Sequence, residues 1–201
     1  MQQSAATPAT SNNAPLAYFI TFSCYGSRLH GDDRGSVDKR HNQYGEPFAA
    51  ANKPATQASR RRMTESVYEV DAVRRELVLQ GIRKICERRS WHLLAAHVRT
   101  RHVHSVLEAD KPPERVMSEL KAAASRELNE SGVDSTLRRW SRHGSTVYLW
   151  ETAQVVEAID YVVRRQGEPM AVFLDVERGE ADPLRSFAAL LIAASSMDFC
   201  D

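Results

Sequence analysis

Two strand-forming segments lie next to each other near the middle of the chain, separated only by Arg99, Thr100 and Arg101. Residues 91–98 (WHLLAAHV) and 102–108 (HVHSVLE) are rich in aliphatic and β-branched side chains. A connection this short allows only an antiparallel hairpin, because parallel strands need a crossover of a dozen or more residues. The two segments therefore predict an antiparallel sheet at the centre of the fold.

The segments on either side of this hairpin follow an order that predicts the fold class. They are a strand at 17–23, a helix at 67–89, a helix from 112 to about 131, a strand at 145–150 and a helix at 152–165. With the hairpin, the order is strand, helix, strand, strand, helix, strand, helix. This order is typical of an α+β, ferredoxin-like or RRM-like fold, in which helices cover one face of an antiparallel sheet. The other face is then free to carry a site.

Three polar or irregular segments are expected to lie outside this unit. Residues 1–15 form a tail rich in Ser, Thr, Ala, Asn and Pro, and residues 29–66 form a loop insertion. Residues 176–201 form a C-terminal tail, in which the apolar run at 183–194 is compatible with a short helix. The prediction is one domain at 16–175 between two tails.

Composition excludes several classes of protein. The net charge of +1 argues against a uniformly basic nucleic-acid-binding protein, so such a site would depend on local clusters of Arg and Lys. Cys24, Cys86 and Cys200 are odd in number and far apart, which favours reduced thiols over a disulfide framework or a zinc site. No apolar run is long enough to span a membrane and the N-terminus lacks a secretory signal, so we expect a cytoplasmic protein.

His102 and His104 are the residues of the hairpin with the clearest chemical potential. Residues i and i+2 of a strand point to the same face, so both imidazoles are within reach of one metal ion. Val103 and Val106 are expected on the opposite face, beneath the helices. Two surface histidines that alternate by chance would give the same short pattern. His97, on the neighbouring strand, is interpreted as a polar residue on a solvated sheet face rather than as a ligand or the partner of one.

Tyr161 is the second candidate, in the helix predicted at 152–165. At about 100° per residue, Val155, Ile159 and Val162 form the buried stripe of this helix, and Tyr161 lies about 160° from the centre of that stripe. It is therefore either an amphipathic surface tyrosine or a nucleophile held out toward a phosphate.

Arginines cluster locally in spite of the near-neutral net charge. Phosphate contacts supply most of the affinity for nucleic acids, and an aromatic side chain among the arginines offers a base a surface for stacking. For each cluster alone, a solvated basic face is the alternative. The predicted nucleic-acid-binding residues are Arg99, Arg101, Arg138, Arg139, Trp140, Arg142 and Arg165.

The segments that carry these residues resemble the single-tyrosine HUH endonucleases, in particular the tyrosine transposases of small insertion sequences and their REP-associated relatives. HVRTRHVHSVLEAD (97–110) resembles their strand–turn–strand motif with paired histidines, and AIDYVVRRQGEPMAVF (158–173) resembles their tyrosine helix and the turn after it. AYFITFSCYG (17–26) resembles their first strand, and residues 29–47 resemble an insertion of one subgroup. The resemblance covers roughly residues 16–175, and its specific part is the histidine motif followed by the tyrosine helix.

This resemblance implies a metal-dependent enzyme that cleaves and rejoins single-stranded or hairpin DNA. His102 and His104 match the metal-binding pair, with Mg²⁺ or Mn²⁺ as the cofactor. Tyr161 matches the nucleophile, which would form a 5′-phosphotyrosine intermediate and leave a free 3′-hydroxyl. Relatives of this kind act as a homodimer or as a monomer.

The third metal ligand departs from the family pattern. Family members often carry Gln or Asn four residues after the tyrosine, where this chain has Arg165. Gln166 follows one residue later, about 140° from Tyr161 on a regular helix, and reaches the metal only if the helix ends or bulges near Gly167. Gln166 is the preferred prediction, and Glu157, four residues before Tyr161, is the alternative.

Two other classes of protein remain open. An RRM-like module, such as a domesticated transposase, would bind hairpin DNA or RNA without cutting it and would need neither a metal nor Tyr161. If it bound RNA, it would be expected to carry aromatic residues on its central strands, which the strand of His102 and His104 lacks. A small metal-dependent hydrolase would turn over without a covalent adduct between protein and DNA.

Overall fold

The computed structural model describes residues 14–27, 52–136 and 138–175. Within these residues the strands are β1 (Ala17–Cys24), β2 (His92–Val98), β3 (His102–Glu108), β4 (Trp140–Leu149) and β5 (Ala171–Leu174). The helices of the same residues are α1 (Lys53–Arg61), α2 (Ala72–Arg89), α3 (Pro113–Glu130) and α4 (Thr152–Arg164). None of these helices is both long and apolar enough to cross a membrane.

The strands form one antiparallel sheet in the order β4-β1-β3-β2-β5. The predicted hairpin is confirmed, because β2 and β3 pair with His97 opposite His104. On the other side of β3, Thr21 of β1 lies opposite His104, and Ser145 of β4 lies opposite Thr21. Val172 of β5 lies opposite His97 and completes a row to which every strand contributes one residue. The predicted α+β, ferredoxin-like sheet is confirmed.

The larger core lies between the sheet and the pair of helices α2 and α3. Ile20, Phe22 and Leu107 point from β1 and β3 into this core, which also contains Ile82 of α2 and Leu120 of α3. Each such buried aliphatic or aromatic side chain stabilises the fold by roughly 1.5–3 kcal/mol relative to an exposed one. This core fixes the two central strands on which the histidines lie.

The two helices pack closely because α2 has a glycine where it meets α3. A Cβ atom at Gly81 would lie 3.0 Å from the carbonyl oxygen of Ala123. That distance is shorter than a carbon and an oxygen tolerate without a shift of the backbone, so the contact between the helices depends on glycine.

A smaller core lies on the opposite face of the sheet, beneath α4. Ala17 and Val106 contribute from the strands, and Val155, Ile159 and Val162 contribute from the helix. The expectation that Val106 points away from the histidines is wrong. Every second residue of a strand points to the same face, so Val106 shares the face of His102 and His104. This face is therefore covered in part by the tyrosine helix rather than left free.

Four elements, two helices and two strands, differ from the sequence prediction. Helix α1 lies inside the predicted loop insertion; none of its residues is buried, so it has no apolar periodicity to reveal it. Its start is instead set by Asn52, whose side chain accepts a hydrogen bond from the amide of Ala55 at 3.0 Å. Helix α2 begins at Ala72 rather than at 67, because Asp71 caps it and the residues before it are extended.

The sheet edges were the least predictable parts of the fold. Strand β4 begins five residues before the predicted start, since its first half is an exposed and polar edge strand. A Cβ atom at Gly144 of this strand would lie 2.4 Å from the carbonyl oxygen of Thr21, so glycine permits the close pairing with β1. Strand β5, on the other edge, has only four residues and was not predicted. Of the predicted tails and loop insertion, residues 1–13, 29–51 and 176–201 lie outside the described residues.

Candidate active site

The histidine pair lies on the sheet face that carries α4. The rings of His102 and His104 have centroids 4.7 Å apart, which confirms the prediction that both imidazoles share a face. His102 is half-buried, whereas His104 is only 6% exposed. One imidazole therefore lies at the surface of the site and the other at its base.

His104 is held by the neighbouring strand β1. Its Nδ1 atom lies 2.8 Å from the hydroxyl oxygen of Thr21, and its ring stacks on Phe19 at 5.7 Å between centroids. Burial is the main reason that the pKa of His104 falls to about 3, and the nearby His102 and His97 lower it further. The imidazole is thus neutral at physiological pH, and a neutral imidazole is the form that binds metal ions.

Tyr161 lies over this buried histidine. Its ring centroid is 5.7 Å from that of His104 and 5.8 Å from that of Phe19, in an edge-on arrangement with both rings. Val162, the next residue of α4, is fully buried and fixes the helix on the sheet. Because Tyr161 remains 39% exposed, it is accessible from solvent while its ring contacts the site.

Gln166 approaches the same histidine because α4 ends two residues before it, at Arg164. The last helical residue is Arg164, and Gly167 has a φ of 74°, a left-handed conformation that favours glycine. The side chain of Gln166 hydrogen-bonds to His104, and its amide nitrogen donates to the carbonyl oxygen of Tyr161 at 3.3 Å. The condition set by the sequence, a helix that ends near Gly167, is met.

The two competing positions on α4 lie differently. Arg165, at the position where family members often carry the third ligand, forms an ion pair with Asp160 at 2.7 Å and is largely exposed. Glu157, the alternative ligand, is exposed one turn before Tyr161. Contact with His104 therefore favours Gln166 over Glu157.

His97 has a different environment from the predicted one. It is fully buried, with Nδ1 2.9 Å from the carbonyl oxygen of Val162 and Nε2 3.2 Å from the amide nitrogen of Met170. Burial lowers its pKa. The interpretation as a solvated polar residue is wrong, because α4 and the segment before β5 cover this part of the sheet. No periodicity in the strand itself could show that cover.

The donors at this site fit a divalent cation. Two imidazoles and one side-chain amide converge; the amide would bind a metal ion through its oxygen, and the imidazole nitrogens suit Mn²⁺ better than the harder Mg²⁺. Within the described ranges no three His, Cys, Asp or Glu residues cluster as a metal site. The Gln166 amide, a donor of another type, is the candidate for a third ligand beside the two imidazoles.

Two of the predicted nucleic-acid-binding residues contact the protein itself, on the sheet face opposite the histidines: Arg139 is buried and Trp140 is half-buried. Arg139 is 4% exposed, and its Nε atom donates to the carboxylate of Asp134 at 3.0 Å. Trp140 packs edge-on against Phe22, and its indole N–H donates to the Ser125 hydroxyl at 2.9 Å. Burial contradicts the prediction for Arg139, whereas the half-buried Trp140 stays a predicted contact whose indole N–H is already bonded within the protein.

The other predicted arginines remain accessible. Arg101 forms an ion pair with Glu69, while Arg138 and Arg142 are exposed near the start of β4. Arg99 lies beside the histidines: its guanidinium contributes to lowering the pKa of His104 and donates to the carbonyl oxygen of Glu168 at 2.9 Å. With Arg165, these residues stay predicted contacts for a nucleic-acid backbone.

Fold and site together define an α+β domain with a histidine pair on its central strand and a tyrosine helix above it. The family model described as "Transposase IS200 like" matches residues 60–162, more than half of the 201 residues, and spans both histidines and Tyr161. The chain belongs to the IS200-like transposase family, as its sequence predicted.

Other comparisons add little to this assignment. No curated protein matches the chain significantly. Among solved structures, the chain is similar to a REP-associated tyrosine transposase bound to a REP hairpin, with a TM-score of 0.42 and 13% sequence identity. That match covers 81% of this chain and 71% of the other.

Proposed function

We propose that this chain is a metal-dependent endonuclease and strand transferase for single-stranded DNA, acting through a 5′-phosphotyrosine at Tyr161. The observation that carries the proposal is the convergence on His104 of two side chains from α4 and its end. The ring of Tyr161 lies 5.7 Å from the ring of His104, and Gln166 hydrogen-bonds to the same imidazole. A tyrosine that only covered apolar surface would not need a neutral histidine and an amide beside it.

The reaction needs one nucleophile and no external energy source. The hydroxyl oxygen of Tyr161 attacks the phosphorus of a phosphodiester, an O–P bond forms, and the bond from phosphorus to the 3′-oxygen breaks. The 3′-oxygen keeps the electron pair and takes up a proton in place of the one that the tyrosine loses. Because the phosphotyrosine conserves the energy of the phosphodiester, a second 3′-hydroxyl can reverse the step and join a new strand without ATP.

His102, His104 and Gln166 would hold the Mg²⁺ or Mn²⁺ ion. When bound, such an ion acts as a Lewis acid on the phosphate. The chain itself positions these ligands: the hydroxyl of Thr21 fixes His104, and the end of α4 fixes Gln166. Because two of the three ligands are imidazoles, we expect Mn²⁺ to support cleavage at least as well as Mg²⁺.

The proposed partner is single-stranded or hairpin DNA. Arg99, beside the histidines, would contact the phosphate next to the one that is cleaved. The exposed Arg101, Arg138, Arg142 and Arg165 offer further backbone contacts, while sequence would be read elsewhere.

A covalent-adduct assay on a denaturing gel tests the proposal. The wild type is mixed with a pool of labelled single-stranded hairpin oligonucleotides and Mn²⁺, beside the variants Tyr161→Phe and His102→Ala. Tyr148→Phe is the matched control, since Tyr148 is 42% exposed, much like Tyr161, but lies on the other sheet face against Tyr18. We expect a covalent band with the wild type and the control only, abolished by EDTA. Metal-independent gel shifts shared by all proteins, with no covalent band, would favour the RRM-like binding module instead.

A further inference from the structure

His97 joins three parts of the fold through a single side chain. It belongs to β2 and is fully buried, and its two ring nitrogens face two different backbone groups. Nδ1 lies 2.9 Å from the carbonyl oxygen of Val162, and Nε2 lies 3.2 Å from the amide nitrogen of Met170. An amide can only donate, so Nε2 accepts and Nδ1 carries the proton that it donates to Val162. Both polar atoms of the ring are therefore satisfied in one neutral tautomer.

The two bonded groups lie on either side of Gln166 in the chain, and one of them directly follows Tyr161. Val162 directly follows Tyr161 in the last turn of α4, and Met170 lies four residues after Gln166. The carbonyl of Val162 is among the last four of the helix, which have no partner within a regular helix. His97 supplies a donor to it, and so ties the helix end to the sheet at the level of the tyrosine.

The position of His97 in the sheet links that helix end to the histidine pair. His97 lies directly opposite His104 in the β2–β3 pairing and on the same sheet face. The distance from Tyr161 to His104 is thus set by the pairing of β2 with β3 and by the hydrogen bond from His97 to Val162. An apolar side chain at position 97 would fill the same volume but would form no hydrogen bond to α4. The distance of the end of α4 from the sheet, and its rotation about the helix axis, would then depend on packing alone.

We propose that His97 is a positioning residue that places Tyr161, through Val162, over the His102–His104 pair. Its catalytic consequence rests on the proposed function, whereas its structural consequence does not. The bond to Val162 is the one that matters for the tyrosine, and the bond to Met170 mainly holds the segment that leads into β5. The two bonds therefore make separable predictions.

Two substitutions remove one bond each. In His97→Asn the amide nitrogen takes the place of Nδ1 and keeps the bond to Val162, but the side chain is too short for Met170. In His97→Gln the amide oxygen reaches the amide of Met170, and the carbonyl of Val162 is left unpaired. Ile82→Val, in the core on the other sheet face, serves as a control for general loss of stability.

The first measurement is the rate of covalent-adduct formation at saturating hairpin DNA and Mn²⁺. We expect His97→Gln to lower this rate at least tenfold with the DNA concentration for half-maximal rate within threefold of wild type. His97→Asn should lower the rate by no more than threefold, and Ile82→Val should leave it unchanged. Equal losses in both His97 variants, or a loss in Ile82→Val of the same size, would overturn the proposal.

The second measurement is hydrogen exchange of the backbone amides in free protein, which needs no cleavage activity. In His97→Asn the amide of Met170 should exchange at least tenfold faster while the amides of the last turn of α4 stay protected. In His97→Gln the last turn should be the part that loses protection. Loss of protection at both places in His97→Asn would overturn the proposal even if His97→Gln does not fold. If the wild type forms no adduct, the proposed function fails, and the exchange pattern alone decides the role of His97.

Discussion

Asp134 accepts hydrogen bonds from four groups, and its substitution gives a prediction whose size follows from the structure. The donors are Nε of Arg139 at 3.0 Å, Nε of Arg74 at 3.1 Å, the hydroxyl of Tyr68 at 2.6 Å and the amide of Thr136 at 3.1 Å. Burial by itself would raise the pKa of the Asp134 carboxyl, but these donors outweigh it and lower the pKa from 3.8 to about 2. Since one pKa unit corresponds to about 1.36 kcal/mol, ionisation of Asp134 stabilises the fold by about 2 kcal/mol.

The sign of the effect defines the experiment. Because the folded pKa is the lower one, this stabilisation is complete above the unfolded value of 3.8 and is lost as the pH falls through about 2. At neutral pH we expect Asp134→Asn to lower the free energy of unfolding by about 3 kcal/mol, since it leaves the buried Arg139 without its counter-charge. Between about pH 5 and about pH 2, the difference between wild type and variant should shrink by about 2 kcal/mol.

Urea unfolding of both proteins at a series of pH values measures this difference. All other titrating groups are common to the two proteins, so the subtraction isolates Asp134. Glu69→Gln is the control, because its exposed ion pair with Arg101 should contribute at most about 1 kcal/mol. A difference that stays constant over the acid range would refute the reasoning. Adduct formation by folded Asp134→Asn should match the wild type, since this network lies on the sheet face away from His102.

Three further predictions test the site and the strands around it. Gln166→Ala should weaken Mn²⁺ binding about 10- to 100-fold, as measured by titration calorimetry, while Glu157→Ala leaves it unchanged; the opposite result would make Glu157 the ligand. Arg99→Ala should weaken hairpin binding and reduce the slope of log affinity against log salt by about 1, and an unchanged slope would argue against a phosphate contact. Gly144→Ala should cost about 1–3 kcal/mol in urea unfolding, because its Cβ would meet the carbonyl oxygen of Thr21; no loss would show that β4 pairs less closely.

The sequence predicts the centre of this fold better than its edges. The hairpin of β2 and β3 follows from two apolar runs and a three-residue connection, both of which are local features. Strand β4 is an edge strand whose first half faces solvent, so its residues look like those of a loop. Helix α1 buries no side chain, and only its cap and composition indicate it.

The candidate site divides in the same way. That His102 and His104 share a face follows from strand geometry, and the approach of Gln166 follows from the end of α4 before Gly167. The burial of His97 does not follow, because it depends on α4, which is distant in the chain. The burial of Arg139 does not follow either, because Tyr68 and Arg74, which share Asp134 with it, are distant in the chain. Local patterns show which side chains share a face, but not what covers them.

The row that runs from Ser145 through Thr21, His104 and His97 to Val172 draws one residue from every strand of the sheet. Because side chains alternate along a strand, a slip of one residue in any pairing turns that strand's contribution to the opposite face. A slip of β1 would remove the hydroxyl that holds His104, and a slip of β2 would remove the bond to the tyrosine helix. Strand register and the geometry of the candidate site are therefore coupled, so a molecule with β1 or β2 mispaired would lose a contact that holds His104 or α4.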